Sequence, residues 1–187
     1  LTLTDTGPNG EPYENAALSA GAVLSNENNT YGLVRVSSDG GSHTVTLNVD
    51  NLALRGYATG TDAQKWNTRA IRASQNAVVN LRGGTQITGW GVAGGAATYA
   101  IYATDNAQIN LEGAVSITGN YRGGVRLEGS SVLTISGAPK ISGNGWDTDV
   151  AARNVHTGGR SAGAGVPIIV EGALDSGAAI GVTDENR

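Results

Sequence analysis

The chain has 187 residues, a formal net charge of −4, 29 glycines and no Cys, Met or Phe. Its length fits one domain, or one section of a longer elongated one, and the lack of cysteine excludes disulfides, thiolate metal sites and cysteine nucleophiles. With only two lysines, Lys65 and Lys140, it shows no basic stripe, which argues against nucleic acid and anionic membranes as partners.

Residues 1–32 read as an irregular N-terminal cap or a first rung. LTLT at 1–4 suits a strand, while DTGPNGEP (5–12) and SNENNTYG (25–32) are turn clusters by their Gly, Pro and Asn content. Residues 14–20, followed by Gly21, suit a short helix with a glycine stop. From 33 to 143 the pattern is regular. Val34 and Val36 flank Arg35; Val45, Leu47 and Val49 alternate with Thr46 and Asn48; Leu52 and Leu54 lead to Gly56. Such period-two alternation, rich in β-branched residues, means strands.

One 14-residue phrase then occurs three times: NAVVNLRGGTQITG from Asn76, NAQINLEGAVSITG from Asn106 and SSVLTISGAPKISG from Ser130. Ile71, Ile101 and Val125 lie eight residues ahead of Val79, Ile109 and Leu133, so each copy has its own preceding strand. Residues 33–56 are a looser copy, aligning Val45 with Val79 and running one residue longer to the closing glycine. Residues 144–187 give a long loop and a closing rung, in which Ile168 and Val170 match Leu133 and Ile135, Gly172 matches Gly137, and Ile180 follows a longer corner. No apolar run approaches the ~20 residues that span a bilayer, and any targeting signal is expected outside this segment.

Three short strands per turn, at a period of 24 to 34 residues, read as an all-β, right-handed, single-stranded parallel β-helix, a solenoid of about five to six rungs forming a single domain. A core without Phe or Met suits narrow layers of Val, Leu, Ile and Ala. The expected inward columns are Val79–Ile109–Leu133, Leu81–Leu111–Ile135 and Ile87–Ile117–Ile141. Gly83, Gly113 and Gly137 recur at a corner, where a tight bend favours a residue without Cβ. Asn80, Asn110 and Thr134 form one outward column and Thr88, Thr118 and Ser142 another, and Arg82 sits over Glu112 as an exposed ion pair.

ITGN (117–120), ISGN (141–144) and the strand GGVRL (123–127) resemble the rungs of bacterial surface β-helix proteins of the adhesin-like and autotransporter-passenger-like kind. The order in which the chain closes is similar too: Asn154-Val155, Ile168 to Val170, Gly172 to Leu174, then Ile180 to Val182. The resemblance covers about residues 70–183 and departs at Trp90, where Asn is expected, and in the first 60 residues. It implies a scaffold and an extracellular or cell-surface location, and it brings no catalytic motif.

Loop length varies mainly at one corner: fifteen residues from Gly56 to Ile71, twelve from Gly89 to Ile101, six from Gly119 to Val125 and twelve from Gly143 to Val155. Insertions at one corner decorate one edge of a solenoid, often its binding face. Tyr57, Trp66, Trp90, Tyr99, Tyr121 and Trp146 gather there as candidate ligand-binding rings. Aromatic faces beside polar groups hold sugars, and equally such rings pack over the rod and anchor its loops. Asp62, Asp105, Asp147 and Asp149 lie in or near the same loops. Asp147 and Asp149 are weak candidates for calcium, the one cofactor considered, or for an acid/base pair with Arg122 or Arg153 as base, as in β-helix polysaccharide lyases. Aspartates in turns also serve the backbone locally. His43 and His156 read as lone loop residues, and the threonine columns are too interrupted for an ice-binding array.

The expectation is a non-enzymatic structural or adhesive module, bacterial and extracellular or at the cell surface. Its loop-decorated edge would meet a glycan or a surface protein, and its ends would meet neighbouring domains or copies. The alternatives are a polysaccharide lyase or hydrolase with an acidic groove on that edge, and a self-assembling fibre or matrix subunit.

Overall fold

A computed structural model describes residues 2–4, 17–19, 33–38, 43–56, 69–91, 99–145, 153–159, 161 and 167–183. The alternating segments form short strands in trios. The first trio is β1 (Thr2–Thr4), β2 (Ala17–Ser19) and β3 (Val34–Ser37). The second is β4 (Val45–Asp50), β5 (Ala53–Arg55) and β6 (Ile71–Ser74). The third is β7 (Ala77–Arg82), β8 (Gln86–Thr88) and β9 (Ile101–Ala103), and the fourth β10 (Gln108–Glu112), β11 (Ser116–Thr118) and β12 (Val125–Leu127). The fifth is β13 (Val132–Gly137), β14 (Lys140–Ser142) and β15 (Val155–His156), and the last β16 (Ile168–Leu174), β17 (Ala179–Ile180) and β18 (Val182–Thr183).

Each strand pairs with the strands three places away, so the chain builds three six-stranded sheets, all parallel. Sheet A holds β1, β4, β7, β10, β13 and β16; sheet B begins with β2 and sheet C with β3. Every trio therefore adds one layer to all three sheets. No helix is found among the described residues.

Strand register stacks like on like. Leu47–Val79–Ile109–Leu133 and Val49–Leu81–Leu111–Ile135 run through sheet A, Leu54–Ile87–Ile117–Ile141 through sheet B, and Ile71–Ile101–Val125–Val155 through sheet C. All of these are buried in one cluster. Each aliphatic side chain moved from water to that interior contributes about 1.5–3 kcal/mol before its ordering entropy is counted.

Four sequence expectations change. Residues 17–19, expected in a helix, form a strand pairing Ala17–Ser19 with Ala53–Arg55; local helix propensity is weak beside the open edge of β5, whose N–H and C=O groups need partners. The looser copy is two residues out of the expected register: Val45 pairs with Ala77 and Leu47 with Val79. From Leu47 to Gly56 it runs nine residues against ten from Val79 to Gly89, so it is one shorter, not longer. Asn51 takes that tightened corner with φ of 54°, and its Oδ1 accepts from Gly84 N at 2.8 Å. Asparagine tolerates the left-handed region better than other side chains.

At the closing layer Gly137 pairs with Leu174 rather than Gly172, because a bulge shifts the register of β16. Val170 continues the Ile135 column but is 51% exposed, against 2% for Ile135, since no layer covers it among the described residues. The turn clusters at 5–12 and 25–32 lie outside the described residues.

Candidate functional site

At the corner that follows sheet B, a glycine with positive φ (Gly89, Gly119, Gly143) precedes Trp90, Asn120 and Asn144. Asn144 Nδ2 donates to Ile117 O at 2.8 Å and Asn120 Nδ2 to Ile87 O at 3.1 Å. Trp90 Nε1 donates to Leu54 O at 3.1 Å. Leu54, Ile87 and Ile117 occupy one column, so the indole N–H does the work of the asparagine amide it replaces. The backbone N–H of each corner residue in turn reaches the next amide: Trp90 N to Asn120 Oδ1 and Asn120 N to Asn144 Oδ1, both at 3.1 Å, and Asn144 N to Asn154 Oδ1 at 3.0 Å.

This geometry removes two rings from the expected ligand-facing edge. Trp90 is fully buried, held there by apolar packing and its hydrogen bond. Tyr99 is 1% exposed, stacked on His156 with centroids 5.4 Å apart and planes 13° apart. Arg153, a candidate base, donates through Nη1 to the Tyr99 hydroxyl at 3.3 Å, and Arg126 lies over the Tyr99 ring at 5.5 Å. His156, expected in a loop, is a buried residue of β15; His43 is exposed and outside any strand. Tyr121 is half-buried, as is Arg122, the other candidate base. Asp105 sits in an exposed turn at φ 60° and accepts from Gln75 N at 3.4 Å. Tyr57, Trp66, Trp146, Asp62, Asp147 and Asp149 lie outside the described residues.

The outer face of sheet C carries a column that sequence spacing concealed: Arg35, Arg72, Tyr102, Arg126, His156 and Thr183. The unequal loops scatter its arginines 37 and 54 residues apart, and register alone brings them into line. The expectation of no basic stripe therefore needs correction. Arg69 and Arg72 lie over the Tyr102 ring at 4.9 and 5.7 Å. The Tyr102 hydroxyl donates to Glu128, whose other carboxylate oxygen is 2.5 Å from Arg126 Nε. Burial, followed by the hydrogen bond to the Glu128 carboxylate, raises the Tyr102 pKa. Burial, then the neighbouring Arg72, lowers that of Arg69. Stacked cations and rings of this kind contribute about 0.5–1 kcal/mol each where exposed and more where desolvated. They fasten Arg69 and Glu128, which lie beside the strands, to the sheet.

Sheet A is different. Its outward column is Asn48, Asn80, Asn110 and Thr134, with Asn110 Nδ2 donating to Asn80 Oδ1 and Asn80 Nδ2 to Asn48 Oδ1, each at 2.8 Å. Beside it the expected ion pair forms, Arg82 Nε to Glu112 Oε2 at 3.1 Å, with Asp50 4.0 Å away on the other side. A shallow groove of about 430 Å³ opens between these columns, lined by Asn80, Arg82, Gln108, Asn110, Glu112 and Thr134, with Ser136 and Glu171 at its far end. Among the described residues no group of three or more His, Cys, Asp or Glu stands ready for a metal ion, and no helix is long and apolar enough to cross a membrane.

These features define an all-β chain of three parallel sheets with one polar grooved face and one cation–aromatic face. Protein-family models, curated proteins and solved structures offer no match to it.

Proposed function

We propose that the three stacked sheets are successive faces of a right-handed parallel β-helix, and that this solenoid is a non-enzymatic structural and adhesive module, extracellular or at a bacterial cell surface. The observation that carries the reading is the register of the columns, which holds from layer to layer until the bulge in β16. Apolar columns fill the interior, and the buried corner groups Trp90, Asn120 and Asn144 bond to their neighbours in the stack. Polar chemistry spent on fastening layers suits a stiff support that holds outer faces at fixed spacing. The likeness of the ITGN and ISGN rungs to bacterial surface proteins supports the location.

The test couples the protein to beads and measures their retention on polysaccharide films and bacterial and host cell surfaces, with released sugar products assayed in parallel. Retention without turnover is expected. No retention on any surface would remove the adhesive role, and unsaturated products or new reducing ends would replace it with a lyase or a hydrolase.

A further inference from the structure

We propose that the outer face of sheet A is a docking ledge for an uncharged, hydroxyl-rich oligosaccharide lying along the direction in which the strands stack. The inference rests on the adhesive reading above, and adds a ligand class and a face other than the aromatic edge.

The amide ladder prepares the ledge. Each of Asn80 and Asn110 gives one N–H to the amide of the layer before it, which fixes the side-chain flip and leaves a second N–H per amide for a ligand. The ladder stops at Thr134, which carries no amide, so Asn110 Oδ1 receives no such donor from the next layer. A carbonyl acceptor and a hydroxyl thus lie in adjacent layers, both lining the groove. Gln108 adds an exposed amide on one flank and Glu112 an exposed carboxylate on the other. Side chains already held in place lose little entropy on binding.

The pattern selects the ligand. Donors and acceptors recur at the ~4.8 Å strand spacing, close to the step between sugar units in an extended chain. Hydroxyls both donate and accept, as this mixed array requires. The one cation among the described lining residues, Arg82, is held by Glu112 and Asp50, and Glu171 adds a further carboxylate. Phosphates, sulfates and uronates meet a surplus of negative charge. With no aromatic ring among the described lining residues, each contact is weak, and retention depends on many copies acting together.

The experiment follows the side-chain amide resonances of Asn80, Asn110 and Gln108 by ¹H–¹⁵N NMR. The whole chain is titrated with neutral cello-, xylo-, manno- and malto-oligosaccharides, and with polygalacturonate as the charged control. A neutral sugar is expected to shift these amides, and polygalacturonate is not. Gln108→Ala combined with Thr134→Val should weaken the interaction at least about fivefold, the effect of roughly one lost hydrogen bond, with the melting temperature unchanged. Three outcomes overturn the proposal: no amide shift with any neutral sugar at millimolar concentration, preferential binding of polygalacturonate, or undiminished binding by the double variant. If beads carrying the double variant adhere as well as wild type, the ledge falls and the adhesive reading stands. If wild-type beads adhere to nothing, both fall.

Discussion

Trp90 offers the sharpest separation between a ring that binds and a ring that builds. It is fully buried, and its Nε1 satisfies Leu54 O at 3.1 Å. Truncation to alanine should cost about 3–5 kcal/mol, the usual range for a large buried aromatic. At about 2–4 °C per kcal/mol for a chain of this length, the melting temperature would fall by ~6–20 °C. Trp90→Asn leaves a similar cavity but restores an amide where Asn120 and Asn144 have theirs. Because a buried acceptor left without a donor costs about 1–3 kcal/mol, the asparagine variant should recover an amount of that order relative to alanine. Urea denaturation followed by far-ultraviolet circular dichroism reads both variants without relying on the deleted fluorophore. An alanine variant within ~1 kcal/mol of wild type would show that the ring does not sit in the core. An asparagine variant no better than alanine would refute the equivalence of indole and amide.

Three further outcomes follow from the same geometry. Asn144→Ala removes an amide that donates to Ile117 O and Asn154 Oδ1 and accepts from Asn120, and should cost about 3 kcal/mol or more in urea melts; a loss typical of a surface site would contradict the buried ladder. Gly137 and Gly143 both have positive φ, but a Cβ at Gly137 would stand 2.8 Å from Gly113 Cα, whereas one at Gly143 meets no described residue within 4 Å. Gly143→Ala should therefore cost about 1–2 kcal/mol of backbone strain and Gly137→Ala clearly more, and equal losses would refute the close stacking of that corner. Tyr102 has its pKa raised above 10.0, so the neutral hydroxyl's stabilising share is complete below that pH. As pH climbs from 10.0 toward the raised value, the unfolded chain ionises first and that share is lost. Tyr102→Phe should cost about 1 kcal/mol at neutral pH and flatten this alkaline decline, and an unchanged slope would discount the Glu128 hydrogen bond.

Legibility in the sequence tracked repetition. The 14-residue phrase places Val79, Ile109 and Leu133 in one column because strand alternation and a constant eight-residue lead leave no other register, and the structure agrees. The Arg82–Glu112 pair and the corner glycines follow from the same alignment. Errors began where the phrase loosens. Around Val45 the corner is built by Asn51 instead of a Gly-Gly pair, and a motif search anchored on glycine slips by two residues. Trp90 misled for a related reason: a tryptophan after a closing glycine looks like a loop ring, and only the column Leu54–Ile87–Ile117 reveals that its N–H has an amide's task. The Arg35–Arg72–Arg126 column was hidden because loops of unequal length separate its members.

The same device, a polar side chain bonded to its copy one layer away, serves opposite ends according to where it points. Inside the corner after sheet B, Asn120 and Asn144 spend their amide hydrogens on carbonyls and on each other, which leaves little with which to bind anything else. On sheet C, cations and rings are consumed in stacking on one another. On sheet A the ladder uses one hydrogen each of Asn80 and Asn110 and ends at Thr134. Stiffness and recognition thus draw on one pool of hydrogen bonds, and a face can offer a partner only those that the stack leaves over. By that criterion sheet A is a better place to look for a ligand than the corner that buries Trp90.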